Sequence, residues 1–303
     1  MARIRIGVDL GGTKIEAIAL VAGEIVVRER VATPQGDYDG TISAISTLVD
    51  RIAAEAGGPS GTITVGVGTP GSVDRGTGLH RNSNSTCLNG RPFQAELATA
   101  VGHPLRTAND ANCFALSEAV DGAARGHRLV FGVILGTGVG GGLVIDGVVH
   151  EGRNGVGAEW GHMGLPHRHV RDVSPRDCYC GRTDCLEQYL SGPAVEAEYA
   201  GLAGEARPLA EIAGRVDADP AASAVLDRFH QRLAESLVTV VNILDPEAIV
   251  LGGGVSNLDS IYEVVPTRVH EGIFGGAGGT PILRHHHGDS SGVRGAAWLW
   301  PED

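Results

Sequence analysis

Four groups of residues in this chain have types and spacings that could do chemistry. Two are glycine-rich segments, Gly7-Val8-Asp9-Leu10-Gly11-Gly12-Thr13-Lys14 and, about 125 residues later, Gly132-Val133-Ile134-Leu135-Gly136-Thr137-Gly138-Val139-Gly140-Gly141-Gly142. The third is Asn109-Asp110-Ala111-Asn112, and the fourth runs from Glu159-Trp160-Gly161-His162 to Cys178, Cys180, Cys185 and Glu187. Backbone N–H groups in a glycine turn can form an anion nest. With 46 glycines in 303 residues, some clusters must be ordinary hairpin turns. A plain hairpin needs only two special residues, however, whereas these turns also carry Asp9, Thr13, Lys14 and Thr137. The repetition predicts a polyphosphate held between two similar lobes.

Motif matching alone misassigns both segments. Gly7 to Lys14 nearly spells a P-loop, but that loop needs Gly-Lys-Ser/Thr opening a helix, and here Gly12-Thr13-Lys14 opens a strand. Gly136, Gly138 and Gly141 satisfy the dinucleotide pattern, yet Leu143-Val144-Ile145-Asp146-Gly147 reads as strand and turn, not as the required helix. A protein-kinase glycine loop is also a hairpin, but its Val-Ala-Ile-Lys, His-Arg-Asp and Asp-Phe-Gly partners do not occur in the chain.

Asp110 follows a short apolar strand and opens a helix, where an aspartate is as often an N-cap as a reactive group. The flanking amides of Asn109 and Asn112 suit a hydroxyl-rich ligand. Phosphoryl transfer asks little covalent work of a protein beyond a carboxylate that orients an alcohol and takes its proton late, a role open to Asp110. His162 with Cys178, Cys180 and Cys185 gives four N/S donors, enough for a closed tetrahedral zinc site that leaves no position for a catalytic water. His167 and His169 compete with His162 as the fourth donor. If His162 binds metal through one nitrogen, the other can hold a sugar hydroxyl, and the loop delivers Glu187 to the same pocket.

The elements that must position these groups emerge from periodicity. Both glycine segments read as β-meanders: Ile4 to Val8, Ile15 to Leu20 and Ile25 to Arg28, then Val130 to Leu135, Leu143 to Ile145 and Val148-Val149. Helical spacing covers Thr41 to Ala56, Pro92 to Val101 and Ala221 to Leu244, and strands cover Thr62 to Val67, Leu105 to Ala108 and Ala248 to Leu251. The order meander, helix, strand, helix occurs twice, an α/β plan with mixed sheets. His285-His286-His287 is expected at a strand end or the surface after Pro281 to Leu283.

The hydrophobic content of 42% supports one large or two medium cores, and no apolar run is long enough for a membrane span or a signal peptide, so a cytoplasmic protein is expected. A net charge of −12 with scattered Lys and Arg argues against nucleic-acid binding. Five cysteines, three of them clustered, suit a metal site better than a disulfide scaffold.

Taken together and in order, Asp9 to Lys14, Asn109 to Asn112, Leu135 to Gly142, Glu159-x-x-His162 and Cys178-x-Cys180 to Cys185-x-Glu187 resemble the ROK family of bacterial sugar kinases and sugar-sensing repressors. The segments Asn82 to Thr86, Leu88 to Gly90, Ser117 to Ala123 and Gly288 to Trp298 look like its fructokinase and mannokinase branch. The resemblance implies an actin-like, ribonuclease-H-like fold of two lobes with mixed sheets, flanking helices and an interlobe cleft. The expected division is 1–113, completed by a C-terminal helix over 290–303, and 114–289, which carries the zinc loop.

By the same resemblance Asp110 is the base, and Asn109, Glu159, His162 and Glu187 bind the sugar, with Asn84 and Cys87 beside it. Gly11, Gly12, Thr13 and Lys14 on one lobe and Thr137 and Gly138 on the other face the phosphates of ATP. Asp9 lies near Mg2+, and Gly253 and Gly254 lie by the adenosine. His162, Cys178, Cys180 and Cys185 match the family's zinc ligands. The implied reaction is phosphorylation of fructose, or next mannose, at the 6-hydroxyl by a homodimer. Glucose or N-acetylhexosamine is the alternative acceptor. A sugar-sensing repressor needs a helix-turn-helix, and only Met1-Ala2 precedes Arg3; a silent sugar-binding relative would lack Asp110. Two positions depart from the family pattern. Asp184 stands where the cysteine motif usually has glycine, tolerable at φ > 0 for roughly 1 kcal/mol, and Cys87 stands where the branch often has Trp.

Overall fold

Apolar residues run through the first glycine segment up to its turn, and in a computed structural model of the chain they form β1 (Ile4–Leu10). The structure describes residues 3–57, 63–167, 174–276 and 279–301. Strand β1 pairs antiparallel with β2 (Lys14–Val21), which pairs antiparallel with β3 (Glu24–Ala32) through a bulge at Ala19/Leu20. Helix α1 (Tyr38–Glu55) begins where the Asp37 carboxylate accepts the Gly40 N–H at 2.9 Å, and it buries Ile45, Leu48, Val49 and Ile52 at helical spacing. There follow β4 (Ile63–Thr69), the short pair β5 (Ser72–Val73) and β6 (His80–Arg81), α2 (Phe93–Val101), β7 (Leu105–Asn109) and α3 (Asp110–Val120). The sheet order is β3-β2-β1-β4-β7, with β4 parallel to both β1 and β7.

The second half repeats this plan. Its elements are β8 (Leu129–Leu135), β9 (Val139–Ile145), β10 (Val148–Val149), α4 (Glu187–Leu190), α5 (Gly192–Ala203), α6 (Leu209–Ala213), α7 (Pro220–Leu244), β11 (Ala248–Gly252), α8 (Asp259–Gly272), β12 (Ile282–Arg284) and α9 (Ser291–Trp298). The order is β10-β9-β8-β11-β12, with β11 parallel to β8 and β12. Each sheet is therefore an antiparallel meander extended by two parallel strands, the repetition that the glycine segments announce. Among the described residues, no helix is long and apolar enough to cross a membrane.

Two compact units result. One holds residues 1–126, 142–157 and 286–303, and the other 127–141 and 158–285. A division at 113/114 would cut α3, whose residues lie wholly in the first unit. In that unit the core is Ile4, Ile6, Val8, Val65 and Val67 of the sheet against Ile45, Leu48, Phe93 and Leu97 of the helices. Helix α9 packs on β1, β4 and α3. The approach is so close that a Cβ on Gly7 would strike the Val293 carbonyl oxygen, and one on Gly66 that of Ala296.

Two acids on α3 and its end fix the start of α9. Glu118 is fully buried and accepts the Ala123 and His286 N–H groups at 2.9 Å, the His287 N–H at 3.3 Å and the Ser291 hydroxyl at 2.8 Å. Asp121 accepts His287 Nε2–H at 2.9 Å, Arg294 Nε–H at 2.8 Å and Trp298 Nε1–H at 2.9 Å. Thus Ser117 to Ala123 and Gly288 to Trp298 are structural partners, and His287, which lies just past the end of β12 where a strand-end or surface position was expected, is also an anchor.

In the second unit α7 buries Val225, Phe229, Leu233, Leu237, Val240 and Val241 along one stripe. Its Arg228 and Arg232, with Arg176 of the cysteine loop, converge on Glu198 of α5 at 2.8, 2.7 and 2.6 Å. Against the upward push of burial, hydrogen bonds from Arg232 and Arg176 hold the Glu198 carboxyl below its ordinary range.

Candidate active site

The first unit carries the candidate acid Asp110 and the first glycine turn. Residues 11–13 form a three-residue loop between β1 and β2, closed by the Gly11 N–H donating to the Lys14 carbonyl at 3.0 Å. Its carbonyls are committed to neighbouring chain. The Gly11 oxygen accepts the Thr33 hydroxyl at 2.8 Å, the Gly12 oxygen accepts Gln35 Nε2–H at 3.0 Å, and the Thr13 oxygen accepts the Thr33 N–H at 3.0 Å. Such commitments keep acceptors from competing with a phosphate for the turn's donors. Gly12 and Thr13 are exposed, as is Lys14 at the head of β2. Gly12 and Thr13 open on a cavity of about 400 Å3 that Gln35, Asn84, Ser85 and Cys87 also line. Neutral amides and hydroxyls predominate there, a lining that suits a polar, uncharged molecule.

Asp9, near the end of β1, is half-buried, and its carboxyl is pushed up to about 6 by burial, then by the charges of Asp110 and Glu16, against the pull of Lys14. Gly68 and Gly292 border it; added Cβ atoms would lie 3.6 and 3.4 Å from its oxygens. A half-buried carboxylate beside a second acid is a natural seat for a divalent cation.

The helix N-cap is Asn109 and not Asp110. Asn109 Oδ1 accepts the Ala111 N–H at 2.9 Å, while its Nδ2–H donates to the Gly71 carbonyl at 3.2 Å. Asp110, the first helical residue, is exposed and accepts the same Ala111 N–H at 2.8 Å. The crowding of surrounding chain raises its carboxyl, while hydrogen bonds from the Ala111 and Asp110 backbone and from Asn109 pull the other way. Asn112 is buried in α3, so its amide is not presented to a ligand as the sequence suggests.

The second unit carries the other turn and the cysteine loop. Residues 136–138 again form a three-residue loop, closed by the Gly136 N–H donating to the Gly138 carbonyl at 2.9 Å. Thr137 at its tip is exposed. Glu187, which opens α4, accepts the Val139 N–H with Oε2 at 3.0 Å, and a Cβ on Gly138 would stand 2.6 Å from that oxygen. The glycine turn and the Glu187 carboxylate are thus one local structure. Gly253 and Gly254, both exposed, come directly after β11; Gly253 has φ +82°, and a Cβ there would strike the Leu135 carbonyl oxygen.

The ligand atoms of His162, Cys178, Cys180 and Cys185 all lie within 4.8 Å of one another. His162 Nδ1 is 3.6 Å from Cys178 Sγ, and Cys180 Sγ is 3.6 Å from Cys185 Sγ. With Zn–S bonds near 2.3 Å, tetrahedral sulfurs stand about 3.8 Å apart, so these donors fit a zinc ion. His167 is not part of this cluster, and His169 lies outside the described residues. Asp184 has φ +56°, the left-handed backbone foreseen for this position, and its Oδ1 accepts the Arg176 N–H at 2.9 Å and the Tyr189 hydroxyl at 2.6 Å. Glu159, exposed, precedes the 3-10 turn Trp160–His162, which is pinned by Trp160 Nε1–H donating to the Gly140 carbonyl at 2.7 Å. The outward nitrogen of His162 has a neighbour that sequence reasoning missed: Nε2 lies 3.0 Å from the Tyr179 hydroxyl.

A family model for ROK matches residues 5–303. The chain belongs to the ROK family. Among relatives, an N-acetyl-D-glucosamine kinase of Vibrio cholerae is 42% identical over 299 residues, covering 97% of this chain and 98% of that protein. One of Pectobacterium atrosepticum is 39% identical over 97% of each chain. The ROK hexokinase structure from Thermus thermophilus superposes with a TM-score of 0.86 at 30% identity, covering 98% of this chain and 97% of that one. A ROK glucokinase from Streptomyces griseus, in complex with glucose and AMPPNP, gives 0.74 at 30% identity and 98% coverage of both.

This ROK protein is accordingly an ATP-dependent sugar kinase with the actin-like ATPase fold, its mixed sheets flanked by helices. The fructokinase and mannokinase branch suggested by segments 82–90 and 288–298 finds no support in these relatives. Segments 117–123 and 288–298, moreover, serve the anchoring of α9 and say nothing of the acceptor.

Proposed function

We propose that the protein transfers the γ-phosphoryl group of ATP to the 6-hydroxyl of N-acetyl-D-glucosamine. The observation that carries the reaction is Asp110, an exposed carboxylate at a helix start whose carboxyl is raised above its ordinary value by the crowding of surrounding chain. Asp110 takes the proton of the sugar hydroxyl as that oxygen bonds to the γ-phosphorus and the bond to the β-phosphate oxygen breaks, releasing ADP. Gly11, Gly12, Thr13, Lys14, Thr137 and Gly138 would bind phosphate oxygens; Gly253 and Gly254 would border the adenosine. Asp9 would hold Mg2+, which when bound neutralises charge on those oxygens. Asn84, Asn109, Glu159, His162 and Glu187 would orient the sugar. His162, Cys178, Cys180 and Cys185 would hold a structural Zn2+ that fixes the loop delivering Glu187. A cytoplasmic homodimer is the assembly the family resemblance implies.

The acceptor is taken from the relatives, whose names specify N-acetyl-D-glucosamine. Fructose or mannose is the second reading, favoured by the likeness of Asn82 to Gly90 to that branch. A coupled ADP-release assay across N-acetylglucosamine, N-acetylmannosamine, glucose, mannose and fructose decides between them by kcat/KM. In the same assay Asp110→Asn is expected to lower kcat at least ~100-fold with sugar affinity intact; near-normal turnover would remove Asp110 from the mechanism.

A further inference from the structure

The turn whose carbonyl orients Asn109 is itself held by a buried histidine. Strands β4 and β7 run parallel with Thr69 opposite Asn109, so the Pro70-Gly71 turn that leaves β4 stands beside the start of α3. Gly71 has φ +82°, and a Cβ there would strike the Arg81 carbonyl oxygen, so the turn lies against the strand that carries His80. His80, on β6 and 2% exposed, reaches the Pro70 carbonyl with Nε2 at 2.8 Å. Its backbone is fixed as well, the N–H donating to the Arg91 carbonyl and the carbonyl accepting the Gly90 N–H, each at 2.8 Å. One residue beyond Pro70, the Gly71 carbonyl accepts the Asn109 Nδ2–H. Two successive carbonyls thus join His80 to the residue that caps α3 ahead of Asp110.

The surroundings of the ring make it a neutral donor. A carbonyl only accepts, so the imidazole proton is on Nε2, and burial holds the ring below its ordinary range against the pull of the Pro70 bond. Nδ1 is then a bare acceptor, buried, and among the described residues nothing donates to it. An unpaired buried acceptor costs stability. The ring packs edge-on to Phe93 of the core, with centroids 5.6 Å apart at 71°, a place that an apolar side chain would fill without that cost. What histidine adds over an apolar residue here is the Nε2–H bond to Pro70.

We infer that His80 is a positioning residue for the acceptor side of the reaction: through the Pro70 carbonyl it fixes the Gly71 carbonyl, which sets the Asn109 amide next to Asp110. Pro70 is buried, so without the Nε2–H donor its carbonyl is left unpaired and its peptide must turn towards another partner, carrying the Gly71 carbonyl with it. Asn109 then loses the bond that points its amide. This assignment deepens the sugar-kinase reading and rests on it.

The test pairs His80→Leu, which removes the donor and the orphaned nitrogen together, with His80→Gln, whose amide can donate where Nε2 does. On the wild type's best hexose His80→Leu should lower kcat/KM by about 5- to 10-fold, mostly through KM for the sugar, while KM for ATP stays within twofold. Its melting temperature should stay within a few degrees of wild type, because the bond lost and the orphan removed offset each other. The side-chain amide resonances of Asn109 should shift in His80→Leu and return in His80→Gln, which should also recover kcat/KM to within twofold. Wild-type kinetics in His80→Leu, or a His80→Gln protein as impaired as His80→Leu, would overturn the assignment alone. So would a His80→Leu protein that melts far lower or fails to fold, since the ring would then serve the fold and not the site. Failure of the wild type to phosphorylate any hexose of the panel would overturn the sugar-kinase reading and this assignment with it.

Discussion

Gly138→Ala separates the role of the second glycine turn from its contribution to folding. The added Cβ would lie 2.6 Å from Glu187 Oε2, whereas a carbon–oxygen contact needs roughly 3.3 Å or more. The oxygen must therefore retreat by about 0.7 Å, which stretches its 3.0 Å bond from the Val139 N–H to at most about 3.7 Å, past the limit of a hydrogen bond when the retreat is along the bond. A bond to a charged group contributes about 1.5–3 kcal/mol, so kcat/KM for the sugar should fall about 10- to 100-fold if Glu187 must hold this position to bind it. Stability should fall by no more than this one bond, about 1.5–3 kcal/mol. Gly138 does not adopt a positive φ, and the displaced atom is the tip of a flexible side chain. Steady-state kinetics against sugar and ATP, beside a thermal melt, read both effects, with Glu187→Gln as the reference for loss of the carboxylate charge. A Gly138→Ala protein with unchanged melting and kcat/KM within twofold of wild type would refute the coupling of turn and carboxylate.

Three further outcomes are expected from the same geometry. Asp9 titrates near 6 against an ordinary 3.8, so its native charge costs stability above pH 6, a cost relieved as pH falls towards 3.8. A bound cation and a proton compete for that carboxylate, so KM for MgATP should rise as pH drops below about 6; a flat KM between pH 7.5 and 5.5 would count against Asp9 as the Mg2+ seat. Asp184→Gly relieves roughly 1 kcal/mol of left-handed strain but removes two bonds accepted by a carboxylate, each about 1.5–3 kcal/mol. The variant should melt lower than wild type and give up metal to a chelator faster; a higher melting temperature would show that Asp184 is only strained. Elemental analysis should find about one zinc per chain, and a fully folded, metal-free protein would contradict a structural role for the Cys–His cluster.

Much of the fold is legible in the chain because its signals are local. Within the meanders the chain reverses at Ala22-Gly23 and Asp146-Gly147, all at positive φ, and α7 shows its apolar stripe at helical spacing over 25 residues. The four donors of the cluster lie within 24 positions of sequence, so their types and spacing predict three cysteines converging with a nearby histidine, while the choice of His162 over His167 and His169 came from the family resemblance. The strain at Asp184 could likewise be foreseen, since backbone with φ > 0 restricts residue type at a single site.

What escaped the sequence depends on side chains meeting from distant segments. Asn109 takes the cap that Asp110 was equally able to take, because the Gly71 carbonyl 38 positions away fixes its amide. Glu118 and His287, 169 positions apart, are joined only once α9 returns to the first sheet. Tyr179 reads as a spacer between cysteines until the closing turn aims it at His162. The repeated α/β plan, the two turns and the cysteine donors could be read from the chain itself, since short-range periodicity and residue chemistry are written in neighbouring positions. Folding was needed to settle which amide caps α3, which acids hold α9, and which side chain meets His162 Nε2, because each results from competition among hydrogen-bond partners that meet only in the folded chain.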